Sequence, residues 1–315
     1  MTQLSLAIPS KGRLKSQVED WLTDCGAPVV FQGGSRGYSA RVRGFPTIDL
    51  RLLSAGEIAN ALISGDIHIG VTGEDLLREA TLNLEESVQL LAPLGFGRAD
   101  LVVAVPESWV DVTSMSDLAA VAAVFRSEKG RRLRVATKYQ NLAHDHFVRF
   151  GVFDHRIVES LSATEGAPAA GLAEVVVDIT SSGQTLADNR LKIVEPVIFR
   201  SQAHLAASVK ASWDEDTLAT VRQLLRVVEA RARAKGLVSL IWPAEQDSAA
   251  QQPTEVFVER GAARRANGLL ANERDTFAIA QALADAGVGP VTAATPDYVF
   301  EPDCPAAKAL ADRVR

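Results

Sequence analysis

Residues 171–189 read GLAEVVVDITSSGQTLADN. The aliphatic run 175–177 predicts a strand that carries Asp178 to its C-terminal end, and the turn Ser181, Ser182, Gly183, Gln184, Thr185 then opens a helix. Backbone N–H groups at such a helix start are unpaired and point outward, and a glycine lets an anion come close to the backbone. Ser181, Ser182 and Thr185 add hydroxyl donors. Asp178 is placed to accept from sugar hydroxyls or to help hold a magnesium ion. Phosphate on the turn and sugar on the acid make this a cradle for a 5-phosphorylated ribose. A plain strand-to-helix turn, with Thr185 as the cap, fits the same residues about as well.

Other segments place charge at similar junctions. In PSKGRL, Lys11, Gly12 and Arg13 stand where a strand hands over to a helix, so cationic side chains and the helix dipole coincide. The ordinary alternative is that Lys11 and Arg13 face water. In RVATKYQN, Lys138 and Tyr139 directly follow a strand, at the edge where open α/β sheets bind ligands; a solvated loop fits this tetrapeptide too. GVTGEDLL (with Gly73 and Asp75) and LGFGRAD are Gly turns carrying an acid or an arginine. His144 and His146 are two apart and fall on different helix faces, which argues against a shared zinc. No phosphate-binding Walker loop, dinucleotide Gly-rich fingerprint or Gly-x-Ser-x-Gly elbow occurs.

These junctions need an α/β scaffold, and the chain has the texture of one. Its first two-thirds alternates β-branched runs with helical patterns, which predicts largely parallel sheets. Strands are expected at Leu4–Pro9, Ile48–Leu53, 134–137 and 174–180, and helices after Lys11, over Ala55–Ser64 and over 214–235. Residues 31–44 read as a Gly-rich hairpin, and the polar run 245–253 as a flexible loop. Near Leu94 the chain crosses into a second α/β unit and later returns. The expected organisation is lobe I over 1–94 with 188–212, lobe II over 95–187, and a small C-terminal unit over 213–315. With 315 residues, two or three domains of about 100–200 residues fit.

A net charge of -6 argues against a broad nucleic-acid or membrane-surface binder, though a few local cations suffice for a small anionic substrate. Cys25 and Cys304 are too few for a disulfide framework or a cysteine zinc site. Neither a signal peptide nor a run of ~20 apolar residues is present, so a cytoplasmic protein is expected.

In order, IPSKGRL, GVTGEDLL, LGFGRADLVVAVP, LRVATKYQN, ATEGAPAAGLAEVVVDITSSGQTLADN and VIFRSQAHLAAS resemble the ATP phosphoribosyltransferase family over about residues 4–210. The resemblance implies a two-lobed, periplasmic-binding-protein-like core with its active site in the cleft. It implies transfer of 5-phosphoribosyl from phosphoribosyl pyrophosphate (PRPP) to N1 of ATP, the first step of histidine biosynthesis. The turn 181–185 would hold the PRPP 5-phosphate, with Asp178 and Glu165 near its ribose and a Mg2+ ion. Lys11 and Arg13 would neutralise pyrophosphate or ATP phosphates, and Lys138, Tyr139, Gly73 and Asp75 would contact substrate. Departures from the family pattern are His68 in place of an acid, Glu174 in place of Asp, and Thr164 before Glu165.

The tail resembles the ferredoxin-like domain of long family members, with GLVSLIWP as a first strand and ERDTFAIAQALADAGVGPVTAATPDYVFE as the last helix and strand, while 246–268 does not fit that pattern. Histidine as feedback inhibitor, a homo-oligomer and a separate regulatory subunit are the partners this implies. The competing classes are an exported solute-binding protein of the same shape and a non-catalytic regulatory paralogue.

Overall fold

A computed structural model of the chain describes residues 3–32, 39–160 and 163–314. Lobe I is built on a five-stranded sheet ordered Ile48–Leu53, Leu4–Pro9, Ile69–Gly73, Ala203–Ser208, Val88–Pro93. The first three strands run parallel, and Ala203–Ser208 runs antiparallel to both its neighbours. All six residues of Leu4–Pro9 are buried, because helices cover both faces of the sheet. That is why this strand reads as a nearly unbroken apolar run rather than an alternation. Trp21 and Leu22 of helix Gly12–Asp24 pack on one face, and Ile58 and Leu62 of helix Ala55–Ser64 on the other.

Lobe II repeats the plan, with sheet order Leu191–Ser201, Ala99–Pro106, Val175–Thr180, Leu133–Thr137, His155–Glu159. Helices Met115–Lys129 and Gln140–Arg149 supply Leu118, Phe125 and Phe147 to its core. The chain passes between lobes at 94–98 and again at Gln202. The two passages are zipped together: Ala203 N–H donates to the Phe96 carbonyl (3.0 Å) and Leu94 N–H to the Ala203 carbonyl (3.0 Å). The expected return over 188–212 therefore comes later than the sequence indicates. Leu191–Ser201 is still a lobe II strand, antiparallel to Ala99–Pro106. Which sheet an apolar run joins is a tertiary choice that its own residues do not encode.

The tail also departs from its expected boundary. Helix Glu215–Ala234 buries Val221, Leu224, Leu225 and Val228 in the same core as Leu4 and Leu6 of lobe I. Ala307 and Leu310 of the last helix, Pro305–Val314, enter that core too. Between these helices lies a four-stranded antiparallel sheet ordered Ala263–Arg265, Gly268–Asn272, Leu237–Ile241, Thr292–Ala294, with its own apolar core. Helices Asp247–Glu259 and Thr276–Asp285 complete a βαββαβ unit, the ferredoxin-like order. The expected flexible loop 245–253 is thus a 3-10 turn and the first half of a helix. Ala250, Thr254 and Phe257, at helical spacing, bury against the sheet and outweigh the hydrogen bond that Pro253 removes. The expected hairpin is present as Val29–Gln32 paired with Ser39–Val42; residues 33–38 between them lie outside the described residues.

Candidate active site

A cavity of about 750 Å³ opens between the lobes. Lobe I contributes Arg13, Gln17, Ala55 and Gly73, the crossing contributes Phe96, Gly97 and Arg98, and lobe II contributes Lys138, Thr180 and Ser181. Arg13 and Gln17 reach it from one face of their helix, being one turn apart. That helix has no side-chain cap and no acid in its first turn, so its positive end is left for a ligand.

In the turn after Val175–Thr180, Gly183 has φ +75° and open space where a Cβ would stand. Two of its N–H groups are engaged internally: Gly183 N–H donates to Thr180 Oγ1 (2.8 Å) and Gln184 N–H to Ser182 Oγ (3.4 Å). The following helix, Gln184–Asp188, is only five residues long. Its dipole is correspondingly small.

Asp178 is half-buried, and burial pushes its carboxyl above the ordinary carboxylate range; the Ile179 N–H and the Lys138 charge act against that shift, while Glu165 adds to it. Lys138 and Glu165 therefore both lie within electrostatic reach of Asp178. Glu165 sits on the 3-10 turn Thr164–Gly166. Among the described residues no three His, Cys, Asp or Glu side chains are grouped to hold a metal ion. His144 Nδ1 instead meets His155 Nε2 at 3.3 Å, and His146 is buried.

Three residues expected to contact substrate prove to be bound up with one another. Tyr139 is fully buried, and its hydroxyl donates to Asp75 Oδ2 at 2.6 Å. Ser201 Oγ donates to the other oxygen of Asp75, also at 2.6 Å. A Cβ on Gly73 would stand 2.3 Å from Asp75 Oδ1, so this glycine makes room for the Asp75 carboxylate. Burial and the Asp75 charge push the Tyr139 phenol far up, keeping it a neutral donor. Gly73, Asp75 and Tyr139 line the cavity, and the Tyr139–Asp75 and Ser201–Asp75 hydrogen bonds join the lobes. Lys11 is not among the residues that line the cavity; its charge adds a little to the Ser54 hydrogen bonds that hold the Glu57 carboxyl low.

Gln17, Phe96 and Thr180 line the cavity without having been singled out by sequence, and Arg98 lines it after being marked only as the arginine of a Gly turn. LGFGRAD held the signal for two of them. Gln17 gave none, because only the folded helix shows which face meets the cleft.

Two α/β lobes joined by a double crossing, with cations and hydroxyls converging on the cleft, define a ligand-clasping protein built for an anionic substrate. The comparisons narrow this. Residues 54–230 match the family model described as HisG: ATP phosphoribosyltransferase. An ATP phosphoribosyltransferase of Caulobacter vibrioides is 57% identical over 301 residues, covering 95% of this chain and 94% of that protein. One from Rhodopseudomonas palustris strain BisB18 is 50% identical over 234 residues, covering 74% and 72%. Among solved structures, the ATP phosphoribosyl transferase (HisG:HisZ) complex from Thermotoga maritima matches at TM-score 0.54 and 27% identity, over 72% of this chain and 99% of that one. The chain belongs to the ATP phosphoribosyltransferase family, enzymes of the pentosyltransferase type that serve histidine biosynthesis.

Proposed function

We propose that the interlobe cleft transfers the 5-phosphoribosyl group of PRPP to N1 of ATP, releasing phosphoribosyl-ATP and pyrophosphate. The observation that carries this reading is the convergence of Arg13, Arg98, Lys138, Thr180 and Ser181, from both lobes and the crossing, on one cavity. The 5-phosphate goes to Ser181, Ser182, Gly183, Gln184 and Thr185, with Asp178 on the ribose. Arg13 and Arg98 face the pyrophosphate and the ATP phosphates, helped by the charge of Lys11, and Phe96 offers a surface for adenine. As the C1–oxygen bond breaks, positive charge grows on the sugar beside Asp178 and negative charge grows on the leaving group beside the cations. The chain supplies placement and fixed charge, and the attacking nitrogen needs no general base.

A Mg2+ ion fits these residues. It is commonly held by one or two carboxylates together with substrate phosphates, and Asp178 with Glu165 is such a pair. Bound there, it would offset the charge of the pyrophosphate.

For the tail, the proposed unit is the βαββαβ insertion over 236–294, with helices Glu215–Ala234 and Pro305–Val314 counted to lobe I. Its role is assembly and histidine sensing, in a homo-oligomer or with a regulatory subunit; Phe277, 89% exposed on that unit, supports a contact role. Among the described residues no helix is long and apolar enough to cross a membrane. The cytoplasm, where ATP and PRPP are available, is the proposed location. Calorimetry with PRPP and Mg2+ tests the phosphate assignment: binding should be tight in the wild type and lost in Ser181→Ala/Ser182→Ala. Unchanged affinity in that double variant would remove the assignment.

A further inference from the structure

The N-terminus of helix Gln140–Arg149 has no cap from its own lobe: Tyr139 provides no side-chain cap, and the first turn holds no acid. The cap comes from lobe I. Glu79, near the end of helix Glu74–Ala80, accepts from Asn141 N–H at 2.9 Å on one oxygen and from Leu142 N–H at 3.0 Å on the other. The Asn141 side-chain amide donates to the Glu79 carbonyl at 2.8 Å. At the other end of the same lobe I helix, Asp75 holds the buried Tyr139 hydroxyl. Residues 139–142 of lobe II are thus gripped at two points by one helix of lobe I. Lys138, which lines the cavity, is the residue directly before them in the chain.

We propose that Glu79 is a positioning residue: as an interlobe cap on helix Gln140–Arg149 it braces the back of the cleft, fixing the angle between lobes and the place of Lys138 relative to Asp178. The physical case is that a charge-assisted pair of hydrogen bonds is both stronger and more directional than neutral ones. Glu79 is half-buried between the lobes; burial pushes its carboxyl up, and the N–H groups of the helix start act against that shift. It does not line the cavity, so its effect on the reaction passes through the residues it holds. With the back braced, substrates of both lobes meet a preset spacing, which raises effective concentration in the cleft.

The inference rests on the proposed role of the cleft, and the test separates the two. Glu79→Gln keeps the shape of the side chain but loses its charge and turns one acceptor into a donor. In the full-length protein with ATP, PRPP and Mg2+, kcat/KM should fall about tenfold, the effect of roughly 1.4 kcal/mol in placement. The amides of Asn141 and Leu142 should exchange with deuterium faster. Adding Gln140→Glu places an acid in the first turn of the helix from within lobe II, which restores local capping without joining the lobes. The brace predicts that this double variant regains thermal stability while kcat/KM stays low. Recovery of both would reduce Glu79 to a local helix cap and overturn the proposal, as would unchanged kcat/KM in Glu79→Gln. Lys138→Met with full activity would instead refute the cleft reading, and the brace with it.

Discussion

Cutting the chain before Gly236 looks like a clean way to remove the tail, but the structure predicts that the cut damages lobe I. The chain leaves helix Glu215–Ala234 for the βαββαβ unit and then comes back to the same helix: Val299 N–H donates to the Ala230 carbonyl (2.9 Å), and the Arg233 guanidinium donates to the Val299 carbonyl (3.3 Å). Beyond that strap, helix Pro305–Val314 puts Leu310, fully buried, and Ala307 and Ala311 into or beside the lobe I core. Burial of a leucine and two alanine methyls contributes about 3–5 kcal/mol, a large part of the roughly 5–15 kcal/mol that holds a domain folded. Truncation at 235 should therefore lower the melting temperature on the order of 10 °C and weaken PRPP binding. Excising 236–294 instead, with a short Gly/Ser link to Thr295, keeps strap and helix. Exit at Ala234 and contact at Ala230 are one helical turn apart, about 6 Å, so a link of a few residues should suffice. The excised protein should melt near the catalytic lobes' own temperature, bind PRPP, lose histidine sensitivity and change its mass in light scattering. Equal melting temperatures for the truncated and excised proteins would refute the packing argument. An excised protein still inhibited by histidine would refute the role of the tail.

Asp178→Asn should lower the rate on the order of 100-fold while leaving stability equal or higher. Its folded-state pKa is raised by burial, so the ionised carboxylate costs stability as pH rises through that range, and the amide removes this cost; activity near wild type across a magnesium titration would contradict the assignment. Gly183→Val forces a branched residue to φ +75°, a strain of about 1–2 kcal/mol, and should abolish PRPP binding in calorimetry, whereas Gly183→Asn, which tolerates that backbone, should retain part of it. Glu174 is subject to burial, which would raise its carboxyl, but hydrogen bonds from Arg134 and Arg131 prevail and hold it down to about 2. The stability from this lowered pKa is present above the ordinary carboxylate range and fades as pH falls toward 2, so acid unfolding of Glu174→Gln should show a flatter pH dependence between those limits.

The fold was legible where burial leaves a one-dimensional trace. Leu4–Pro9 and 175–177 are buried on both faces and read as runs that are apolar apart from Ser5, and Leu224, Leu225 and Val228 recur at helical spacing. Lobe membership left no such trace: Leu191–Ser201 could pair with either sheet, and Pro305–Val314 reads as an ordinary amphipathic helix until lobe I is seen beneath it. In the site, the turn at Gly183 was marked by residue types that local backbone geometry demands. Asp75 and Tyr139 were marked equally well, yet they are 64 positions apart and their hydrogen bond is a product of tertiary structure. An acid and a phenol beside a cleft look the same in sequence whether they hold a ligand or each other. Glu79 lies outside every motif and was invisible, although its partner Asn141 closes the RVATKYQN segment.

The most direct test mixes the purified full-length protein with ATP, PRPP and Mg2+ and follows phosphoribosyl-ATP by its ultraviolet absorbance, with pyrophosphate measured in parallel. The account predicts equimolar formation of both products, dependent on all three additions and suppressed in Asp178→Asn. Tight binding of PRPP with no product from either substrate would contradict it, leaving a binding protein in the shape of an enzyme.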